Sequence, residues 1–176
     1  MHDSAMPTRP PGARAASLVQ RPPAWTLTAL LLLVLALTPA PATQDQPDSV
    51  ILFFGDSITA GYGVGREQAF PALVQARIDS LGWDLDVVNA GVSGETAAAG
   101  LRRIDWVLRR PVDVFVLELG GNDGLRGVPL ASTEQALQQI LDRVRKRYPE
   151  AVLVVAGMRL PPNLGPEYVA QFRAIF

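Results

Sequence analysis

The stretch ILFFGDSITAGYG, residues 51–63, decides the fold of this chain. It opens with four apolar residues, and a glycine, Gly55, then interrupts the run. A short apolar run that ends at a glycine is typical of a buried β-strand rather than of a helix. Asp56 and Ser57 follow directly, at the end of the predicted strand. Because ligands of α/β domains bind beyond the carboxyl ends of the strands, Ser57 is the first candidate for a functional residue.

Apolar strands of this kind recur along the chain and alternate with amphipathic segments that have the period of a helix. Strands are predicted at residues 49–54, 85–88, 112–119 and 151–156. Helices are predicted at residues 67–81, at 96–109, from Ser132 or Thr133 to about 148, and at 166–176. The alternation predicts an α/β fold in which a parallel sheet carries helices on both faces.

Composition limits the classes of protein to which the chain can belong. Its 176 residues are enough for one domain, and 48% of them are apolar, which is enough for a substantial core. The absence of cysteine excludes disulfides, thiolate nucleophiles and cysteine-bound metals. The 16 basic and 17 acidic residues nearly balance, and the basic cluster at residues 143–147 complements the dipole at a predicted helix end. Nucleic acid is therefore not expected as a partner.

The first 42 residues have the pattern of an export signal. Three arginines precede an apolar run at residues 24–37, and the small-residue sequence Ala-Pro-Ala follows it and ends at Ala42. This pattern predicts a signal peptide at residues 1–42, a polar linker at 43–48, a domain at 49–176, and a periplasmic or secreted location. The alternative is that the apolar run stays uncleaved as a membrane anchor, although it is short for a span. No other contact with a membrane is expected.

Three residues at the ends of predicted strands suggest acyl-transfer chemistry. Ser57 lies between a strand and a helix, where it is placed either as a nucleophile or as the cap of a turn. Asn122 lies in a Gly-Gly-Asn-Asp loop after the third strand, and its carboxamide can donate to an oxyanion or form an ordinary turn. Gly91, after the second strand, offers its N–H or only a turn. Together the three favour an acyl-transfer site.

Acidic residues near these strand ends have less specific roles. Asp56 is expected to orient the loop that carries Ser57, and Glu118 is expected to make a structural hydrogen bond or ion pair. Asp123 is a supporting residue beside Asn122, and together with Asp56 it is the first substitute to consider if Ser57 lacks a histidine base. No metal is expected, because histidine at metal-ligand spacing is absent.

Two glycine-rich segments match known sequence motifs only in part. GYGVG, residues 61–65, resembles a phosphate-binding loop, but Arg66 occupies the last glycine position and no Gly-Lys-Ser/Thr sequence follows. Ser93 lies in GVSGE, in which Glu95 replaces the final glycine of the Gly-x-Ser-x-Gly pattern. Neither segment is therefore assigned a function.

Three blocks of the chain carry a family resemblance. FFGDSITAGYG, VVNAGVSGET and VLELGGNDGLRG resemble the first three sequence blocks of the GDSL, or SGNH, hydrolases, with Ile58 in place of the leucine of the family name. QQILDRV and MRLPPNLG are similar to the bacterial periplasmic thioesterase, lysophospholipase and arylesterase branch. The resemblance covers residues 50–176.

The resemblance implies a fold, an activity and roles for residues. The fold is a flavodoxin-like three-layer sandwich with a central parallel sheet. The activity is hydrolysis of esters and thioesters of small acyl substrates, without a metal or a cofactor. Ser57 is the implied nucleophile, and the implied oxyanion hole consists of the Ser57 N–H, the Gly91 N–H and the Asn122 side chain.

The family's fourth block, Asp-x-x-His, has no match in this sequence. The only histidine is His2, in the expected signal peptide, so the catalytic histidine and its aspartate are absent. The sequence also stops at Phe176 within a predicted helix. We therefore expect a truncated serine esterase that lacks a last strand and helix and is nearly inactive. The alternatives are a non-catalytic module that binds acyl or carbohydrate esters on the same fold, and a membrane-anchored structural domain.

Overall fold

The structure of the protein is a computed structural model, and it describes residues 49–176. The predicted signal peptide at residues 1–42 and the linker at residues 43–48 lie outside the described residues. Among the residues that are described, no helix is long and apolar enough to cross a membrane.

Four parallel strands form one sheet in the order β2-β1-β3-β4. The strands are β1 (Ser49–Gly55), β2 (Leu85–Gly91), β3 (Val114–Glu118) and β4 (Val152–Val155). The first connection leads from β1 to β2 on one side of it, and the next leads from β2 to β3 on the other side of β1. The two connections therefore diverge at the carboxyl end of β1. This is the topological switch point at which doubly wound sheets bind their ligands. The predicted parallel α/β fold is confirmed.

The connections between the strands are helical. The helices are α1 (Ser57–Ala60), α2 (Phe70–Ser80), α3 (Ala97–Val107), α4 (Gly121–Leu125), α5 (Leu130–Arg147) and α6 (Pro166–Arg173), with short 3-10 turns at Arg66–Gln68 and Pro162–Leu164. Crossovers between parallel strands are right-handed, so connections that run in opposite directions along the sheet place their helices on opposite faces of it. The connection from β1 to β2 runs one way and the later connections run the other way. α2 therefore lies on one face of the sheet, and α3 and α5 lie on the other. The contact between α3 and α5 agrees with this placement.

The main core lies between the sheet and the α3–α5 pair. Phe54 and Phe115 point into it from neighbouring strands, with ring centroids 5.7 Å apart, and Ile104 and Ile140 meet them from the helices. Phe53, the residue before Phe54 in β1, instead packs against Phe70 at the start of α2. Successive side chains of a strand point to opposite faces, so the apolar run of β1 is buried on both sides.

Several element boundaries differ from the predicted ones. β2 continues to Gly91 instead of ending at Val88, so the expected loop residue Gly91 is the last residue of a strand. The Gly-Gly-Asn-Asp loop is helical from Gly121 and forms α4. α5 begins at Leu130 after Pro129, and not at a cap formed by Ser132 or Thr133. The predicted cap was wrong because Ser132 and Thr133 already lie in the first turn of the helix, and the buried Thr133 hydroxyl donates to Asp123.

Candidate active site

Ser57 is the first residue of α1, directly after β1 and the buried Asp56. Asp56 is the N-cap of this short helix, and its Oδ1 accepts a hydrogen bond from the Ile58 N–H at 3.0 Å. Such a cap replaces the hydrogen bond that the first turn of a helix cannot make internally. The expected role of Asp56 in orienting the segment that carries Ser57 is consistent with this contact.

A buried hydrogen-bonded pair fastens α1 to β3. The Thr59 hydroxyl donates to Glu118 Oε2 at 2.6 Å, and the Thr59 N–H donates to the same oxygen at 3.1 Å. Gly55 permits this approach, because a Cβ there would overlap both the Thr59 hydroxyl and the backbone carbonyl of Glu118. The structural hydrogen bond expected of Glu118 is confirmed, and it holds the helix that begins with Ser57.

The Glu118 carboxyl is buried and incompletely paired. Its Oε1 has no hydrogen-bond partner among the described residues. Burial raises the pKa of Glu118 and the negative charge of Asp56 raises it further, while the hydrogen bonds from Thr59 act against this rise. Glu118 therefore holds its proton more readily than an exposed glutamate does.

Asn122 reaches the start of α1 from the first turn of α4. Its Nδ2 donates to Asp56 Oδ2 at 3.0 Å and to the backbone carbonyl of Glu95 at 3.0 Å. Asp56 thus receives hydrogen bonds from both Ile58 and Asn122 and joins the Ser57 helix to α4. The two acceptors occupy both N–H groups of the carboxamide, so an oxyanion at Asn122 has to share or replace one of them.

Gly91 approaches α1 from the end of β2. A Cβ at this position would overlap the Ala60 backbone nitrogen, so the close contact between strand and helix requires glycine. The Gly91 N–H donates to Asn89 Oδ1 at 2.9 Å, and Asn89 Nδ2 donates to the Thr59 carbonyl at 2.8 Å. Asn89 was not among the residues predicted from the sequence, although a carboxamide in an otherwise apolar strand end was a visible signal.

Ser57 and Asn122 line one cavity of about 480 Å³. The cavity has a polar floor that includes Asp56 and Glu118, and apolar walls from α1, α4 and the segment after β4: Ile58, Leu125, Met158, Leu160 and Pro161. Gly91 is not among its lining residues and instead lines an adjacent groove with Ala60 and Arg66. The structure therefore brings Ser57, Asp56 and Asn122 to one cavity, and Gly91 to the neighbouring side of α1.

The buried Asp123 side chain connects α4 to the neighbouring helices. The side chain is 1% exposed, its Oδ2 accepts from the Ala97 N–H at 2.9 Å, and its Oδ1 accepts from the Thr133 hydroxyl at 3.4 Å. Burial raises the pKa of Asp123, and its hydrogen bonds partly oppose the rise. Asp123 thus joins the starts of α3 and α5 to α4, which places it as a support for Asn122 rather than as a partner of Ser57.

Residues 53–175 match the model of the GDSL-like lipase/acylhydrolase family. The chain belongs to this family. The GDSL motif from which the family takes its name corresponds here to Gly55, Asp56, Ser57 and Ile58, so the structural elements described above belong to a GDSL-type domain.

Named relatives share much of this GDSL domain. Esterase TesA of Pseudomonas aeruginosa is 40% identical over 136 residues, which are 76% of this chain and 66% of that protein. Thioesterase 1/protease 1/lysophospholipase L1 of Escherichia coli K12 is 40% identical over 153 residues, 86% of this chain and 68% of that protein. The chain spans about two thirds of the length of these relatives.

A solved structure agrees with the family assignment. The crystal structure of AlinE4, an SGNH-hydrolase family esterase, superposes with a TM-score of 0.67 at 43% identity, over 72% of this chain and 68% of that one. The predicted fold and family are both confirmed. Within residues 49–176, no group of three or more histidine, cysteine, aspartate or glutamate side chains is arranged to hold a metal ion.

Proposed function

We propose that this GDSL domain hydrolyses carboxylic ester and thioester bonds of acyl substrates, with Ser57 as the nucleophile. The observation that supports the proposal most strongly is the joint placement of Ser57 and Asn122 on one cavity, connected through Asp56. The names of the relatives agree with this chemistry, since one is an esterase and another a thioesterase.

In the proposed reaction, Ser57 Oγ attacks the acyl carbonyl and an alcohol or thiol leaves. The carbonyl oxygen becomes an oxyanion that the Ser57 N–H and Asn122 Nδ2 stabilise. The expected Gly91 N–H donor is not part of this proposal, because it donates to Asn89 Oδ1 and Gly91 lines the neighbouring groove. Water then hydrolyses the acyl-serine and releases the acid. Asp56 and the Glu95 carbonyl hold the Asn122 carboxamide in place before substrate arrives. Residues 49–176 contain no histidine, so a histidine base for Ser57 has to come from outside these residues.

The cavity favours an acyl chain as the part of the substrate that is bound. Ile58 of α1 and Leu125 of α4 contribute apolar walls, and the segment after β4 adds Met158 and Leu160. Each buried methylene of a chain lying on such a wall contributes about 0.8 kcal/mol of binding. The polar groups around Ser57 then define where along the chain the ester is held.

A second candidate function is binding of acyl esters without turnover. The specific observation that favours it is again the lack of histidine in residues 49–176, because an unassisted serine hydroxyl is a weak nucleophile. The same cavity would serve both functions, so the two differ in whether a covalent step follows binding.

One experiment separates the two candidates. The whole protein as its gene encodes it, in which a general base outside residues 49–176 is present if one exists, is compared with its Ser57→Ala variant for hydrolysis of p-nitrophenyl butyrate and for labelling by a fluorophosphonate. Ser93→Ala is the matched control, because Ser93 is an exposed serine near the site that has no assigned role. Turnover and labelling that disappear in Ser57→Ala alone support the esterase. Substrate binding without turnover or labelling favours the binding module, and labelling that disappears in Ser93→Ala contradicts the assignment of Ser57.

A further inference from the structure

One cation lines the cavity that also holds Ser57 and Asn122. Arg159 belongs to the segment after β4 and its side chain is exposed. The other charged residues of the lining are the acids Asp56 and Glu118, which are 2% and 6% exposed and lie at the floor. The cavity therefore presents carboxyl groups at its buried floor and a guanidinium at its open side.

The Arg159 guanidinium has no ionic partner within the fold. The arginines that pair with carboxylates are Arg103, Arg143 and Arg145. Among residues 49–176, no carboxylate pairs with Arg159. A guanidinium carries planar, forked donors that match the geometry of a phosphate or a carboxylate. These donors are available to an anionic group that enters the cavity.

The backbone on either side of Arg159 is fixed against α4. A Cβ on Gly121 would lie 3.0 Å from Met158 Sδ, so the Met158 side chain packs closely on this helix. A Cβ on Gly124 would lie 2.7 Å from Leu160 Cδ2, and Leu160 is 7% exposed. The two anchored neighbours hold the base of the Arg159 side chain beside the cavity, while its guanidinium is free to adjust to a ligand.

The distribution of polar and apolar groups indicates which part of a substrate Arg159 faces. The proposed function places the ester carbonyl at Ser57 and the acyl chain on the apolar walls. An anion is disfavoured at both places, because the walls offer it no hydrogen bonds and the floor carries the carboxyl groups of Asp56 and Glu118. The open side at Arg159 is left for the alcohol or thiol that departs.

We propose that Arg159 is a specificity-determining residue that binds a phosphate group on the leaving alcohol or thiol of the substrate. A guanidinium and a phosphate can form a bidentate, charge-assisted pair, which gives direction as well as attraction. The inference rests on the proposed function, because it takes Ser57 to mark the position of the ester. It assigns to Arg159 no part in the covalent step.

The chain offers a matched control in the groove on the other side of α1. Arg66 is exposed like Arg159, and no carboxylate among the described residues pairs with it. It lines the groove with Ala60 and Gly91 and does not line the cavity of Ser57. Arg66→Met removes the same charge as Arg159→Met, so the pair separates binding at Arg159 from a general effect of protein charge.

The first measurement is of binding without turnover. Isothermal titration calorimetry of the whole protein with Ser57→Ala gives Kd for 1-octanoylglycerol 3-phosphate and for 1-octanoylglycerol, which differ only in the phosphate. Adding Arg159→Met is expected to raise Kd for the phosphate ligand about fivefold, the strongest effect typical of an exposed ion pair, and to leave the neutral ligand unchanged. Adding Arg66→Met is expected to change neither Kd. The preference for phosphate should shrink at high salt.

The second measurement is release of octanoate from the same two esters by the whole protein with Ser57 intact. Arg159→Met is expected to raise KM for the phosphate ester about fivefold with little change in kcat, and to leave the neutral ester unaffected. Arg159→Lys keeps the charge without the fork, so its KM should lie between those of the unsubstituted protein and Arg159→Met.

Several outcomes overturn the inference. They are equal weakening of both ligands in Arg159→Met, loss of the phosphate preference in Arg66→Met, and a protein with Arg159 intact that binds the two ligands equally or binds neither. If the protein with Ser57 intact binds the phosphate ligand but releases no octanoate, the proposed hydrolysis fails. The calorimetric comparison then still decides the role of Arg159.

Discussion

Replacing Thr59 by valine tests the buried pair that fastens the Ser57 helix to the sheet. Valine has nearly the same shape as threonine and equally favours the β-branched rotamers, so the change leaves no cavity and removes only the hydroxyl. Thr59 is 0% exposed and Glu118 is 6% exposed, so water cannot readily replace the lost donor. The carboxyl of Glu118 would keep only the Thr59 N–H on Oε2 and nothing on Oε1.

The expected cost follows from the lost contact. A hydrogen bond to an ionised group contributes about 1.5–3 kcal/mol, and the 2.6 Å hydroxyl–carboxylate distance is at the short end for such bonds. Thr59→Val should therefore lower the free energy of unfolding by about 1.5–3 kcal/mol, a fall in Tm of about 3–12 °C. Because the hydroxyl lowers the pKa of Glu118, the cost should grow as the pH rises and the carboxyl ionises.

Thr133→Val is the matched control for this experiment. Thr133 is also buried and also donates to a buried carboxylate, but its contact with Asp123 measures 3.4 Å and is correspondingly weak. Urea unfolding of both variants, followed by circular dichroism at two pH values, gives the comparison. A loss in Thr59→Val no larger than that in Thr133→Val would refute the role given to the Thr59–Glu118 pair.

Other predictions concern the donors, the buried carboxyls and the leader. Asn122→Ala should lower kcat for ester hydrolysis by about 10²–10³-fold with little effect on KM, since an oxyanion donor acts on charge that develops only in the transition state; a change confined to KM would contradict this role. Gly91→Ala should lower the free energy of unfolding by about 1–3 kcal/mol in a denaturant titration, because the added Cβ overlaps the Ala60 nitrogen; an unchanged midpoint would show that α1 moves freely. The pKa of Glu118 is raised in the folded state, so the folded state binds this proton more tightly than the unfolded state does. As the pH rises from the ordinary pKa of 4.5 to the folded-state pKa, the wild-type protein should therefore lose stability relative to Glu118→Gln. Parallel stability profiles of the two proteins would contradict this prediction. Mass spectrometry of exported protein should give Thr43 as the first residue, whereas retention of residues 24–37 would support the anchor.

Local patterns in the sequence were sufficient to predict the elements and their order. The apolar run that ends at Gly55, and the alternation of strand and helix periods after it, predicted the parallel sheet because periodicity is a property of neighbouring residues. The same patterns placed Ser57 between a strand and a helix. They were less reliable at boundaries. α5 begins at Leu130, so Thr133 lies inside its first turn, and the Thr133 hydroxyl donates to Asp123, a partner ten residues away, instead of capping the helix.

What the tertiary structure decided is how the candidate site is held together. Asn122 contacts Asp56 across 66 residues of sequence, Thr59 contacts Glu118 across 59, and Arg103 reaches back to the Ala90 carbonyl across 13. Such contacts depend on which strands are neighbours and on their register, and no local period encodes either. The sequence by itself therefore determined the strand–turn–helix that presents Ser57, and only the packing of β1 between β2 and β3 decided which distant groups orient it.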